Sequence, residues 1–570
     1  MNPATTKSVI RKIVQDMIRN SPRVLIHTIT GRLLDKTKQA SLFETLPVFI
    51  ELVSSMTTHI DDDHIRRVVS EYYRYATFSH TWEDDEPLFE EVVHIVVYDL
   101  ERSFTRDKLQ MFCKIACDTG LHWAWSDTCC INKADHFALQ EALAAMFKWY
   151  AGSAVTIVFL RGVHSPSQPG DLMRSIWNTR AWPLQEYHAS KVVRFYTEDW
   201  KLYLNLDIPN HKNSPEIISE MEKATGVSAQ FLVDFQPGSN DIREKLSLAS
   251  RRKTTLVEDA AYSLLGIFSV FLPIVYGEGD QALGRLLARL LTTSGDTSIL
   301  AWTGKSGTFN SCLPASISVF SELPTSHIPP AISTAEIEII TSRMRTSSSN
   351  LTSAVKLYDR LHELFVPSFS DRRMKLPCLT FKLGPVSATR SPSGYIFRAK
   401  TEALGIVEIR TTEDLTRLDS LTLVHPWIDF LLDRQPVSKT AETILEHSNH
   451  PSSPAGGSQS PVGLPNTARA VRQTRAQRII SRIALQFGAG YMYSPQYSSS
   501  VSLTDKRTKA LRFIIRLRQP FSALMFTPTR QNVEEYRRVA AESLIIVQVE
   551  ELTSTVFNRL IDDVRVLDVI

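Results

Sequence analysis

Polar and aromatic side chains of types that do chemistry gather at three points between Ser79 and Glu186. The first group is Ser79, His80, Thr81 and Trp82, the second is the run from Asp127 to Asn132, and the third is Trp177, Arg180, Trp182, Gln185 and Glu186. The first two groups directly follow predicted strands, and the third follows a strand and its loop. Ligands of open parallel sheets bind outside the carboxyl ends of the strands. We therefore expect a ligand site where these groups meet.

Glu186 is the residue with the clearest chemical potential. A carboxylate beside aromatic walls can have its pKa raised by desolvation. Such a group can orient a sugar hydroxyl or stabilise an oxocarbenium-like transition state. The residues alone nevertheless favour a glutamate on a helix surface that pairs with a cation, because most glutamates are solvated. Trp82 and Trp182 fit either core filling or ligand stacking, and Asp127 fits either a ligand contact or a turn cap.

Other chemistries find little support. Ser79 and His80 are neighbours on an extended chain, so they point to opposite faces, and no GxSxG elbow is present. Cys113 and Cys117 lack the CxxC spacing of a zinc site and suit buried small apolar residues, so no metal is expected. No glycine-rich phosphate loop occurs at a strand–helix junction.

The segments between these groups alternate between strand and helix. Strands are predicted at Tyr75–Phe78, His122–Ser126, Ala154–Leu160 and Val192–Tyr196, and helices at Arg106–Thr119, from Asp135 to Tyr150, and at Ala181–His188. A continuous apolar run such as Ala154–Leu160 is typical of a strand buried on both faces. The alternation predicts an α/β fold with a mainly parallel sheet and flanking helices.

The rest of the chain divides by composition. We predict a helical N-terminal segment (1–70), an α/β domain (71–205), a helical extension (206–305), a β-rich region (306–433), a disordered Ser/Pro-rich linker (434–477) and a C-terminal α/β or β segment (478–570). Ala260–Tyr276 is uncharged but short for a bilayer, which favours a buried core helix ending before Pro273 over a membrane span. The acidic run Glu83–Glu86 is expected to be a solvated loop.

Composition narrows the partners and the compartment. The 570 residues carry 64 basic and 61 acidic side chains, a net charge of +3, which gives no argument for a nucleic-acid or membrane-surface partner. Six cysteines are too few for a disulfide framework in a chain of this length. The N-terminus carries charges and no signal-like apolar run. We expect a cytoplasmic protein without a membrane span.

Several ordered motifs resemble a known family. YATFSHTW, WAWSDTCCINK, AMFKWYAGSAV and SIWNTRAWPLQE resemble the fungal heterokaryon-incompatibility (HET) domain, and the stretch from RRKTTLVEDAAYSLLGIF to DTSILAW resembles the segment that follows it. Family members take part in cell death after fusion of genetically unlike fungal cells. The domain is similar to the TIR fold, a flavodoxin-like sandwich, and some TIR-like domains cleave NAD with a glutamate.

The resemblance implies roles for individual residues. Glu186 would be catalytic, and the ligand-binding residues would be Ser79, His80, Trp82, Asp127, Asn132, Arg180, Trp182 and Gln185. NAD would be a substrate, and no cofactor is expected. The alternative is a non-catalytic TIR-like module that self-associates or binds an unknown protein partner. Glu83 and Ala181 stand where the family usually has Gly, Ser126 where it has an aliphatic residue, and Pro183 where it has Thr, which could weaken ligand binding.

Overall fold

The computed structural model describes most of the chain. The described residues are 3–55, 60–321, 351–364, 367–391, 394–401, 403–418, 420–426, 509–511, 520–529, 534–549 and 554–570, with Ile339, Ile515 and Leu517. The predicted linker at 434–477 lies outside them.

A six-stranded sheet forms the centre of the first 200 residues. Its four parallel strands are β3 (Tyr75–Ser79), β4 (Trp123–Trp125), β5 (Val155–Leu160) and β6 (Val193–Thr197), preceded in the chain by β1 (Val24–His27) and β2 (Arg32–Asp35). The spatial order is β2-β1-β4-β3-β5-β6. Every residue of β3, β4 and β5 is buried, as continuous apolar runs predict. The mainly parallel sheet is thus present, with an antiparallel hairpin at one edge.

The N-terminal segment is not helical throughout. It holds α1 (Pro3–Ile18), α2 (Lys36–Glu44), α3 (Pro47–Ser55) and α4 (Asp62–Tyr72), but also the β1–β2 hairpin. β1 joins the sheet by pairing antiparallel with β4, with Ile26 opposite Ala124. Helix was wrongly predicted for 24–35, because four-residue strands show no clear period and their partner β4 lies far along the chain.

Helices connect the parallel strands. They are α5 (Phe89–Val92), α6 (Phe104–Asp118), α7 (His136–Gly152), α8 (Asp171–Arg174), α9 (Ile176–Thr179) and α10 (Trp182–Ala189). Asp135 caps α7 by accepting hydrogen bonds from the N–H groups of Phe137 and Ala138. Alternate residues of β5 face two cores: Ile157 and Phe159 pack with the N-terminal helices, and Val158 and Leu160 with the extension.

The extension is mostly helical. Its helices are α11 (Pro215–Thr225), α12 (Ala229–Val233), α13 (Ile242–Ser250), α14 (Asp259–Tyr262) and α15 (Gln281–Ser294). The core helix predicted from Ala260 to a point before Pro273 is wrong beyond Tyr262. The chain there follows turns, and Gly266 lies so close to α7 that an added Cβ would stand 2.3 Å from Phe147 Cβ. None of the helices in the described ranges combines the length and apolar character that crossing a bilayer requires.

The C-terminal region is rich in β-structure. It contains α16 (Leu351–His362), β7 (Ser368–Ser370), β8 (Arg373–Lys382), β9 (Val386–Ser391), β10 (Gly394–Thr401), β11 (Gly405–Thr411), β12 (Thr422–Pro426), β13 (Phe521–Pro528), β14 (Glu535–Val539), β15 (Ile545–Val547), α17 (Ser554–Asp562) and β16 (Val564–Val569). β12 pairs with β13, and β8 pairs with β16, so one sheet draws strands from both sides of the predicted linker.

A buried arginine joins this sheet to the extension. Arg538 on β14 donates hydrogen bonds to the carbonyls of Leu300 (2.8 Å) and Trp302 (2.9 Å). Its guanidinium carbon lies 3.9 Å from the centroid of the Trp302 ring. Met374, Cys378 and other residues of the sheet also share a core with the extension. The C-terminal sheet is therefore packed against the extension.

Candidate functional site

The carboxyl ends of β3 and β4 meet α10 in a buried polar centre. Ser79, the last residue of β3, donates a hydrogen bond from Oγ to Glu186 Oε2. Trp177 Nε1 donates to the same Ser79 Oγ at 2.8 Å. Glu186 is only 4% exposed. The predicted motif residues Ser79, Trp177 and Glu186 thus form one hydrogen-bonded chain. The sequence favoured a solvated Glu186 on a helix surface, and that prediction is wrong because the side chain is buried.

The surroundings of Glu186 favour its neutral form. Burial raises the pKa of Glu186, the nearby Asp127 carboxylate raises it further, and the result is a pKa of about 8. Hydrogen bonds from Ser79 and Tyr150 and the charge of Arg252 act in the opposite direction. At neutral pH the Glu186 carboxyl therefore holds a proton, which it could donate or lose when a cation approaches.

Asp127 links this centre to the surface. Its Oδ2 accepts a hydrogen bond from Trp82 Nε1 at 2.9 Å. Burial raises the pKa of Asp127, while His80 and Lys133 lower it. The Trp82 side chain is 48% exposed, and Lys133 Nζ lies 3.6 Å from its ring centroid. Trp82 is therefore at the solvent edge and is held by Asp127, whose charge acts on Glu186.

His80 belongs to a separate ionic cluster. Its ring stacks on Phe78 with centroids 4.2 Å apart, and Nε2 lies 3.7 Å from Glu86 Oε2. Glu86 also pairs with the buried Lys108 ammonium. Burial alone would raise the pKa of Glu86, but His80 and Lys108 outweigh burial and lower the pKa to about 2. The solvated loop expected at 83–86 is wrong for Glu86, because Lys108 on α6 provides a buried counter-charge.

A segment of the extension covers the third motif. Lys253 N–H donates to the Thr179 carbonyl at 2.6 Å, and Ala181 N–H donates to the Lys253 carbonyl at 3.0 Å. The Arg252 guanidinium donates to the Arg180 carbonyl and to Asn178 Oδ1, both at 2.9 Å. Burial lowers the pKa of Arg252 to about 10, and Glu186 opposes that shift. Arg252 is thus a partly buried cation beside the Glu186 centre.

Arg180 and Trp182 face the extension. Arg180 Nη2 donates to Thr255 Oγ1 at 2.9 Å. Trp182 is partly buried and hydrogen-bonds to Asp259, whose carboxylate also accepts from Tyr276 Oη at 3.0 Å. Both predicted ligand residues therefore have partners within the chain, on the side of α10 covered by residues 252–259.

Asn132 and Gln185 have different surroundings. Asn132 Oδ1 accepts hydrogen bonds from Ala134 N–H (3.1 Å) and Asp135 N–H (3.3 Å), so it holds the turn before α7. It also lines a cavity of about 220 Å³ with Cys130 and Trp149. Gln185 is buried, and its Nε2 has no hydrogen-bond partner among the described residues. Within those residues no group of three His, Cys, Asp or Glu side chains is arranged for a metal ion.

Comparison with known proteins decides the family of this unit. A family model described as heterokaryon incompatibility protein (HET) matches residues 75–206, from β3 to just beyond β6. All three polar groups lie within that span. Residues 75–206 are therefore a HET domain.

One curated relative shows how far the similarity extends. The vegetative incompatibility protein HET-E-1 of Podospora anserina is 32% identical over 228 residues, which are 38% of this chain and 16% of that protein. The similar region therefore spans only a small part of that relative's length. No solved structure matches this chain.

The departures from the HET pattern fit the backbone of this HET domain. Ala181 has φ −74°, a value that residues with a Cβ adopt freely. Pro183 lies in the first turn of α10, where proline is favoured. Glu83 pairs with Arg161, with Oε1 and Nε 3.2 Å apart. These side chains are accommodated without visible strain.

Several residues of the site were not predicted as functional. Tyr150 and Arg252 act on Glu186, and Lys133 covers Trp82. Lys133 directly follows Asn132 in the second motif, and this position is the feature of the sequence that could have marked Lys133 as part of the site. Arg252 lies outside the family match, and its pairing with the third motif depends on tertiary contacts alone.

Proposed function

We propose that this protein is an effector of fungal heterokaryon incompatibility whose HET domain hydrolyses NAD or a related nucleotide. Cleavage would break the bond between nicotinamide nitrogen and ribose C1′, with water supplying the hydroxyl group to the ribose. The pyridine base would leave with the bonding electron pair. Action in the cytoplasm and promotion of cell death are parts of the same proposal.

The observation that supports hydrolysis is the environment of Glu186. A buried carboxyl with a pKa of about 8 stands at the carboxyl ends of parallel strands, where ligands of such sheets bind. When the cationic nucleotide enters, its charge would favour the ionised carboxylate, which could then stabilise positive charge developing on the ribose. Ser79 would orient that carboxylate through its hydrogen bond.

The sheet order supports the same proposal at the level of the fold. Numbered among themselves along the chain, β3, β4, β5 and β6 take the spatial order 2-1-3-4. That order is the beginning of the flavodoxin-like arrangement, whose switch point lies between strands 1 and 3. A TIR-like site would lie there, between β3 and β5, which is where Ser79 ends its strand.

A non-catalytic module is the second candidate. Glu186 is 4% exposed, so a substrate reaches it only if Trp177 or the segment 252–259 moves. Phe137 and Phe271 are 86% and 75% exposed, and apolar side chains of this size are common at protein interfaces. In this candidate the HET domain would act by self-association or by binding a protein partner.

Turnover by the full-length protein separates the two candidates. NAD loss and nicotinamide release are measured for the wild type, Glu186→Gln and Glu186→Ala, after circular dichroism shows that all are folded. The exposed Glu51→Gln is the matched control. Turnover that both Glu186 variants lose and the control keeps supports hydrolysis. Undiminished turnover in the Glu186 variants contradicts the role of that residue, and no turnover by any oligomeric form favours the binding module.

A further inference from the structure

The exposed ring of Trp82 carries a cation that the chain itself supplies. Lys133 Nζ lies 3.6 Å from the ring centroid, well within the range of a cation–π interaction. The indole is held in place because its Nε1 donates to Asp127 Oδ2 at 2.9 Å. The aromatic face thus contacts the ammonium group directly, and the charge of the Asp127 carboxylate acts on it from a longer distance.

Lys133 is only weakly held elsewhere. Among the described residues, its ammonium has one hydrogen bond, to the Thr128 carbonyl at 3.5 Å, and its pKa is lowered, chiefly by burial. It forms no close ion pair with a carboxylate among the described residues. An ammonium without a close counter-ion can leave its place at small cost.

Arg161 provides a contrast in the same domain. Its guanidinium carbon lies 4.0 Å from the Phe104 ring centroid, but it also pairs with Glu83 and Glu198. Two carboxylates hold that cation where it is, so its contact with the ring is a structural one. Lys133 lacks such anchors, and Trp82 is half-exposed.

We propose that Trp82 and Asp127 form a subsite for an organic cation, either a pyridinium ring or a quaternary ammonium group, and that Lys133 occupies it when no ligand is bound. The aromatic face attracts the cation through its quadrupole, and the Asp127 carboxylate provides charge selectivity. The Lys133 ammonium competes with the ligand. The identification of this ligand as the pyridinium end of the nucleotide rests on the proposed function.

Two probes that share one ring test the subsite on the full-length protein. 1-Methylnicotinamide is a cation, and nicotinamide is its neutral counterpart. Binding is followed by the NMR signal of the Trp82 indole N–H, assigned by its loss in Trp82→Phe. Lys133→Met removes the competing ammonium and keeps the chain length, while Lys133→Arg keeps a positive charge. Thermal unfolding confirms that each variant is folded.

We expect a gain in affinity for the cationic probe that depends on removing the positive charge at position 133. Lys133→Met should bind 1-methylnicotinamide roughly 3- to 30-fold more tightly than the wild type, and Lys133→Arg should not. Asp127→Asn in the Lys133→Met background should reduce the affinity for the cation towards that for nicotinamide, and the Trp82 ring should account for the remaining difference. Equal binding of the two probes, or no binding by Lys133→Met at millimolar concentration, would overturn the subsite. The measurement needs no turnover, so its failure is distinguishable from a failure of the proposed hydrolysis.

Discussion

Two carboxyl groups beside the end of β3 have opposite protonation. Glu186 lies with Ser79, and Glu86 lies with His80, the next residue of the chain. Both are buried, yet folding raises the pKa of Glu186 to about 8 and lowers that of Glu86 to about 2. The difference follows from the partners: Glu86 has the Lys108 ammonium in direct contact, whereas Glu186 has hydroxyl groups and a second carboxylate nearby. Burial thus does not by itself decide whether a carboxyl is charged.

The largest effect should come from removing the counter-charge of Glu86. Lys108→Met leaves a buried carboxylate without its closest cation, which should lower the free energy of unfolding by about 4 kcal/mol. Denaturant unfolding measures the change. Lys114→Met, on the exposed side of the same helix, should change stability far less. Equal effects of the two substitutions would show that the Lys108–Glu86 pair contributes little.

The pH dependence of stability should distinguish the two carboxyls. The pKa of Glu186 in the folded protein exceeds the ordinary value of 4.5. The stability that the protonated Glu186 carboxyl contributes is therefore fully present below about pH 4.5 and is lost as the pH rises towards 8. The wild type should therefore lose about 3 kcal/mol relative to Glu186→Gln from about pH 5 to about pH 7.5. Glu86 has the opposite sign, with stability lost as pH falls from about 4.5 towards 2.

Unfolding curves of the wild type and Glu186→Gln across this range test that prediction. Glu51→Gln, which removes the charge of an exposed glutamate, is the control. A constant difference between the wild type and Glu186→Gln would mean that Glu186 titrates with an ordinary pKa.

Arg252→Met should widen the difference in pKa between Glu186 and Glu86. The guanidinium group lowers the proton affinity of Glu186, so its removal should raise the pKa of that carboxyl by about one pH unit. Carbon-13 NMR of the glutamate carboxyls measures the titration. Arg251→Met is the matched control, because the Arg251 side chain is exposed. Equal pKa values for Glu186 in both variants would exclude an electrostatic role for Arg252.

The smallest effect is expected from Ser79→Ala. Loss of the hydrogen bond to Glu186 should lower the free energy of unfolding by about 1 kcal/mol and raise the pKa of Glu186 slightly. Thermal unfolding and the same NMR titration give both values. Ser54→Ala, which removes a hydroxyl from an exposed side chain, is the control. A fall in the pKa of Glu186 would contradict the assigned direction of the Ser79 hydrogen bond.

The sequence predicted what is local and missed what is distant. The apolar strand at 154–160 and the start of a helix at Asp135 were recognisable because each depends on neighbouring residues. The β1–β2 hairpin could not be predicted in the same way, because its place is set by β4. The three motifs indicated which residues gather near the buried polar centre, but the ionisation of Glu86 and Glu186 depends on Lys108 and Arg252, which come from other elements.

The β1–β2 hairpin has a practical consequence for preparing the HET domain alone. The family match begins at residue 75, yet β4 pairs with β1 on its outer side. A fragment starting at residue 75 would expose the N–H and C=O groups of β4 along an apolar edge, which favours aggregation. At the other end, a cut at 206 would uncover the face of β5 and β6 that packs on the extension. The span that defines the family resemblance is thus shorter than the unit that should be expressed to obtain a stable protein.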